Sequence, residues 1–391
     1  MARARKKRRR PKPSVANRTM KLTIERGSLL KSLGHVQSVV ERRNTIPILA
    51  NVLIQAHDDR IALTATDMDL DIVERAPAHV GASGATTAPA HTLYDIVRKL
   101  PEGAEIELDG GGDKERLTVR AGRSNFTLPA LPTSDFPAIS GDALNHSFTL
   151  AGAELKSLID RTRFAISTEE TRYYLNGIYL HATRSNEVQV LRAVATDGHR
   201  LARVEMALPE GASGMPGVIL PRKTVTELRK LIEETESSVG VSLSDTRVRF
   251  AFDDVVLSSK LIDGTFPDYE RVIPQSNDKV MEVDCKTFAE AVDRVATIST
   301  EKSRAVKLTL NNGTLVLSAT SPEAGSATEE LEVTYKSSPI EIGFNSRYLL
   351  DITQQIEGDG AQFMMADSAS PTIVRDLSDM SALYVLMPMR V

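Results

Sequence analysis

The 391-residue chain has one cysteine, Cys285. That excludes an internal disulfide and any metal site built on a cysteine cluster. Its seven histidines stand without HExxH or similar ligand spacing, so neither a metal nor another cofactor is expected. No apolar run approaches the ~18 residues of a membrane span. The P-loop, the dinucleotide GxGxxG and the hydrolase triad signatures are missing as well. These absences weigh against an enzyme of nucleic acids or small metabolites. They leave a non-catalytic, cytoplasmic protein with no membrane partner.

Acidic residues are scarce at one end only. Residues 1–19 carry nine Lys/Arg and no acid, leaving 39 basic against 52 acidic residues in the rest of the chain. The basic tail reads as a disordered extension, and Met20 opens the first patterned segment. A monomeric DNA-binding protein that works through this tail is the competing reading. No apolar stretch follows the charges, so the tail is no signal peptide.

What is abundant is repetition. A strand-like segment ending in Ala-Thr occurs as LTATDMDL (63–70), AVATDGHRL (193–201) and LSATSPEA (317–324), with Thr66, Thr196 and Thr320 spaced 130 and 124 residues apart. Each copy opens with a helix-period segment (25–40, 151–166, 284–299), in which apolar residues recur at i, i+3, i+4 and i+7. After each marker come a second strand, a second helix and further alternating strands. The order predicts α+β architecture: three similar domains, each of two helices packed on antiparallel sheet, over 20–144, 145–276 and 277–391.

Six helices at about 10 Å between axes close a ring whose hole is only about 9 Å wide. Twelve, from two chains, leave about 28 Å, which admits a duplex. Basic residues collect on the helix segments, among them Lys31, Arg42, Arg98, Lys99, Lys156, Arg161, Arg163, Arg229, Lys230, Arg294 and Arg347. Many fall opposite the apolar stripe and are expected to face away from the sheets. Together they suit phosphate contact without sequence readout.

The phrases RYYLNG (172–177), ATDGHRLA (195–202), KLIDGTFPDYERVIP (260–274), GFN (343–345) and YVLMPMRV (384–391) closely resemble the bacterial DNA polymerase III β subunit family. PILANVLI (47–54) and LPEGAEIEL (100–108) add to the resemblance, which runs from about Met20 to Val391. It implies the DNA clamp fold, a ring-shaped homodimer around double-stranded DNA, and a cleft on which polymerase, clamp-loader and other clamp-binding-motif proteins dock. The cleft residues it implies are Leu175, Thr196, Gly198, His199, Arg200 and Leu201; Pro267, Arg271 and Val272; and Asn345, Tyr348, Val385, Leu386, Met387, Pro388, Met389 and Arg390. Leucine, valine, methionine and proline make an apolar groove, methionine adapts to varied partners, and arginine and histidine at the rim can fix a peptide. Ser303, where the family has an aromatic, and Pro371, where it has a small polar residue, depart from the pattern. The resemblance also implies DNA contact by Arg43, Arg172, Tyr173, Tyr174, Arg222 and Lys223, and dimer contact by Phe126 and Leu128 with Thr297 and Ile298. From the residues alone, the Tyr pair either stacks on bases or packs. His199 with Asp197 could suggest acid–base chemistry, but no nucleophile accompanies them.

Overall fold

The computed structural model describes residues 19–111, 114–138, 143–233, 235–299 and 304–390. The basic-tail expectation, apart from Thr19, and the Ser303 position lie outside them. Six α-helices stand among the described residues: α1 (Arg26–Gln37), α2 (Ala90–Lys99), α3 (Gly152–Arg163), α4 (Arg222–Ile232), α5 (Cys285–Ala296) and α6 (Ser346–Thr353). They form three antiparallel pairs of neighbours in the sequence, α1 on α2, α3 on α4 and α5 on α6.

Each first helix follows directly on a strand. The orphan amides of its first turn are met by a side chain. Glu25 accepts from the Ser28 amide at 2.9 Å, and Asp284 from the Thr287 amide at 2.7 Å. In α3 the direction reverses: Glu154 accepts from the Ala151 amide at 2.9 Å. The apolar face of each first helix then packs on the marker strand and the strand after it. Leu29, Leu33 and Val36 do so in α1, Leu155, Leu158 and Ile159 in α3, and Phe288, Val292 and Val295 in α5.

The turn after each marker is built the same way. Asp67 accepts from the amides of Asp69 and Leu70, Asp197 from those of His199 and Arg200, and Ser321 from those of Glu323 and Ala324. These short polar side chains close the turn that the backbone alone would leave unsatisfied.

By compactness the chain forms two units. Of the described residues, one holds those up to Asn145 with 239–242 and 247–260; the other holds those within 146–238, 243–246 and from Leu261 onward. The sequence repeat has a different rhythm, for a reason visible in the pairings. In the first unit the strand Leu70–Pro77 pairs with Val255–Lys260, the closing strand of the second repeat. In the second unit the equivalent strand Arg200–Ala207 pairs with Ala382–Leu386, the closing strand of the third. The second and third repeats thus each lend their last strand to the sheet of the repeat before. The nine-stranded sheet of the second unit runs from Val218–Pro221 through Gly177–Ser185, Val188–Thr196 and Arg200–Ala207 to Ala382–Leu386. It continues through Thr372–Asp376, Gly360–Met365, Lys279–Asp284 and Thr334–Tyr335.

Candidate docking groove

The groove lies on that nine-stranded sheet, around the junction of Arg200–Ala207 with Ala382–Leu386. Leu201 stands opposite Val385, and Val385 opposite Ile373. Around them a buried cluster gathers Leu175, Val194, Ile219, Phe266, Tyr269, Ile273 and Leu383, with Tyr174, Tyr179, Ile262 and Met364 packed at its margin. Val272 and Met387 are half exposed beside it, at 50% and 40%. Large apolar side chains on a rim above an apolar floor are what a docked peptide needs to bury its own.

The turn at 196–200 supplies one end. The Thr196 hydroxyl accepts from the Gly198 amide at 3.1 Å, and Gly198 has φ of +88°. A Cβ there would lie 2.7 Å from the Arg172 guanidinium, the movable end of a long side chain, so it is the backbone that asks for glycine at this position. His199 is exposed and stacks on Tyr348, with ring centroids 6.4 Å apart. The chain's last residues are pinned across the site: the Met387 amide donates to the His199 carbonyl at 2.9 Å and the Met389 amide to the Gly343 carbonyl at 2.7 Å. Asn345 accepts from the Arg347 amide and so caps α6, which carries Tyr348. Pro388 is half-buried and Arg390 exposed in the same segment, while Leu386 is fully buried.

Arg200 is not a rim residue, contrary to the expectation. It is buried, and it donates to Asp197 at 3.1 Å, Asp351 at 2.5 Å and the Phe164 carbonyl at 2.7 Å. Its guanidinium also lies 4.3 Å from the Tyr348 ring centroid. With its donors committed, it ties the 196–200 turn to α3 and α6 and leaves His199 as the polar group facing out.

The segment 267–273 forms another wall. Pro267 and Arg271 are exposed, and Arg271 pairs with Asp268 at 2.7 Å. Beneath them, Arg192 donates to the Tyr269 hydroxyl at 2.8 Å and to Glu270 at 2.5 Å, and pairs with Glu205 at 3.0 Å. His181 shares a hydrogen bond of 3.0 Å with the Tyr269 hydroxyl and stacks on Tyr179. Burial and the neighbouring Arg192 charge hold its pKa down to about 4.

Of the other expected contacts, Arg172, Tyr173 and Tyr174 sit at the edge of this groove. Arg172 lies over Gly198, and Tyr173 and Tyr174 pack beside Gly264 in edge-on contact at 5.8 Å. Tyr173 is 54% exposed, whereas Tyr174 joins the apolar cluster. Arg222 is exposed at the start of α4, Lys223 half-buried next to it, and Arg43 is exposed in the first unit. On the strand Ser124–Pro129, Leu128 is core and Phe126 half-buried. Thr297 is exposed at the end of α5 and Ile298 half-buried.

The helix arginines divide. Arg161 is buried and bound to Asp379 at 2.8 Å and to Ser381 at 3.1 Å, so it faces inward rather than away from the sheet. Arg229 is tied to Asp160 and Glu233, and Arg294 to both oxygens of Glu329. Their acid partners hold them, which the spacing of basic residues alone does not reveal.

Sequence reasoning passed over Phe266, Tyr269, Ile273, Met364 and Ile373. The first three lie within KLIDGTFPDYERVIP, whose apolar spacing was the available signal. Pro371 lies two residues from Ile373, and its carbonyl accepts from Asn277 at 2.9 Å.

A helix-on-sheet repeat laid down three times, the second and third each lending a closing strand to the repeat before, is the architecture of a DNA clamp. Models of the N-terminal, central and C-terminal domains of the DNA polymerase III β subunit match residues 20–140, 149–268 and 270–390. A β sliding clamp of Caulobacter vibrioides is 57% identical over 95% of this chain and 100% of its own length, and that of Escherichia coli is 41% identical over the same shares. Among solved structures, a Caulobacter crescentus β sliding clamp with polyethylene glycol bound superposes with a TM-score of 0.94 at 57% identity, covering 96% of this chain and 100% of that one. A Bartonella birtlesii sliding clamp bound to griselimycin gives 0.93 at 51% identity with the same coverage. The chain belongs to the DNA polymerase III β subunit family, the bacterial sliding clamps. Its class of work is processivity in DNA replication, with DNA and polymerase as partners and no catalysis of its own. The matches begin at residue 20, past the basic tail, and favour the clamp over a monomeric DNA binder.

Proposed function

We propose that two copies of the chain close head to tail around duplex DNA in the cytoplasm, and that the groove takes short apolar peptide segments of polymerase, clamp-loader and other clamp-binding proteins. Strand sharing supports the closure. The first two repeats each have a post-marker strand completed by the closing strand of the next repeat. The third repeat's equivalent, Gly325–Glu332, is an edge strand, and so is the first repeat's closing strand, Ser124–Pro129. A second copy completes the same pairing at both ends, which hides two exposed edges and brings Phe126 and Leu128 against Thr297 and Ile298. The domain boundaries of the repeat, 20–144, 145–276 and 277–391, follow this reading. Arg43, Arg172, Tyr173, Tyr174, Arg222 and Lys223 then meet the DNA backbone without reading sequence.

The observation that carries the docking role is the pinning of Met387–Met389 between His199 and Gly343 beside an apolar floor. Griselimycin bound to the B. birtlesii clamp supplies a probe. Deleting 387–391 removes Met387 and the rim it forms while keeping Ala382–Leu386 in the sheet. The truncated protein is expected to lose griselimycin affinity by about tenfold or more and to remain a dimer by sedimentation. Full-strength binding by a folded truncation would show that the ligand sits elsewhere.

A further inference from the structure

On the sheet face that carries the groove, the strand pairings continue past the apolar cluster. Leu201 and Arg203, Val385 and Leu383, and Ile373 and Arg375 are each two apart on neighbouring strands. Residues two apart share a face. The apolar row Leu201, Val385, Ile373 is therefore followed, about 7 Å farther along the strands, by the row Arg203, Leu383, Arg375.

The nearby acids are already engaged. Glu205 is held by Arg192 and by the Ser185 hydroxyl, Glu270 by Arg192, and Glu282 accepts from Gln362. Arg203 and Arg375 form no ion pair among the described residues, and the Nε of each is buried with no hydrogen-bond partner. Both side chains are only half-buried, so solvent reaches part of each. Burial, together with the charges of Arg192 and Arg375, pushes the Arg203 guanidinium below its ordinary pKa. Buried donors left unpaired are rare and costly, and two on one face beside a binding groove call for an acceptor.

We propose that Arg203 and Arg375 form a carboxylate subsite continuous with the groove, which receives an acidic side chain flanking the apolar anchor of a docked peptide. The inference rests on the groove being the peptide site. It adds a direction: the arginine row lies beyond one end of the apolar row, so an acid is favoured on one flank of the anchor only. A planar guanidinium pair on a sheet matches a carboxylate's two oxygens better than a lysine would.

The test uses the full-length protein and a synthetic apolar peptide that displaces griselimycin, made with Glu or Gln at its N-terminal flank and again at its C-terminal flank. At low salt the Glu form is expected to bind about tenfold tighter than the Gln form at one flank and equally at the other. In Arg203→Gln/Arg375→Gln that preference should vanish, while the Gln peptides keep wild-type affinity to within about threefold. Should the double variant fail to fold, each single variant should lower the preference. Equal binding of Glu and Gln peptides to the wild type, or a preference that survives in the variants, overturns the subsite. If none of the peptides displaces griselimycin, it is the groove reading that fails, and the subsite falls with it.

Discussion

At the scale of single residues, the TDGHR turn is where sequence and structure part. The expectation placed Arg200 beside His199 as a second polar hand for the peptide. The structure gives the two adjacent residues opposite fates, one stacked in the open and one buried under three acceptors and an aromatic ring. Nothing in the linear order distinguishes them, because two of the Arg200 partners, Phe164 and Asp351, come from helices 36 and 151 residues away. Gly198 differs from both, since its demand is local, a positive φ within the turn itself. Removing the Arg200 charge leaves Asp351 and the Phe164 carbonyl without their donor. Arg200→Met is therefore expected to cost about 2–4 kcal/mol in urea unfolding. A loss under about 0.5 kcal/mol would mean that Arg200 behaves as an exposed rim residue after all.

At the scale of elements, the helices and the marker strands were readable because their periodicity is internal to each segment. The sharing of closing strands was not, since a strand's own alternation does not say which neighbour it joins. That sharing also explains why an apolar groove forms where it does. Leu201 opposite Val385 makes an apolar pair. At the matching place in the first unit, Asp71 stands opposite Ser258, with Asp71 accepting from Thr66 at 2.5 Å and its carboxyl held above the usual range by burial. The same backbone pairing thus produces an apolar floor in one case and a polar seam in the other. The wall at 267–273 is an element held from below, and that support should depend on pH. His181 is depressed to about 4 in the folded state, against roughly 6.5 when unfolded. Between those values the unfolded chain binds the proton more readily, so stability is present above pH 6.5 and is lost as pH falls toward 4. In His181→Gln the fall of the urea midpoint over that window should be shallower than in the wild type; an unchanged slope would place the titrating group elsewhere.

At the scale of the whole molecule, an acidic body meets DNA either by gathering its basic residues on one surface or by enclosing the duplex, and the proposed ring relies on enclosure more than on charge. Beyond the tail, acids outnumber bases, and several of the helix arginines spend their charge on Glu or Asp neighbours. A protein that adhered to phosphates would need more unspent charge than this. The threefold repeat was visible in the sequence from its markers alone. The twofold closure was an arithmetic expectation from helix widths and an implication of the family resemblance, and the two edge strands are where the proposed second copy would pair. The direct measurement is retention of the loaded protein on nicked circular DNA, by gel filtration in high salt, before and after the circle is cut once. Encirclement predicts that the protein stays with the circle and runs off the linear form; equal retention on both would contradict it.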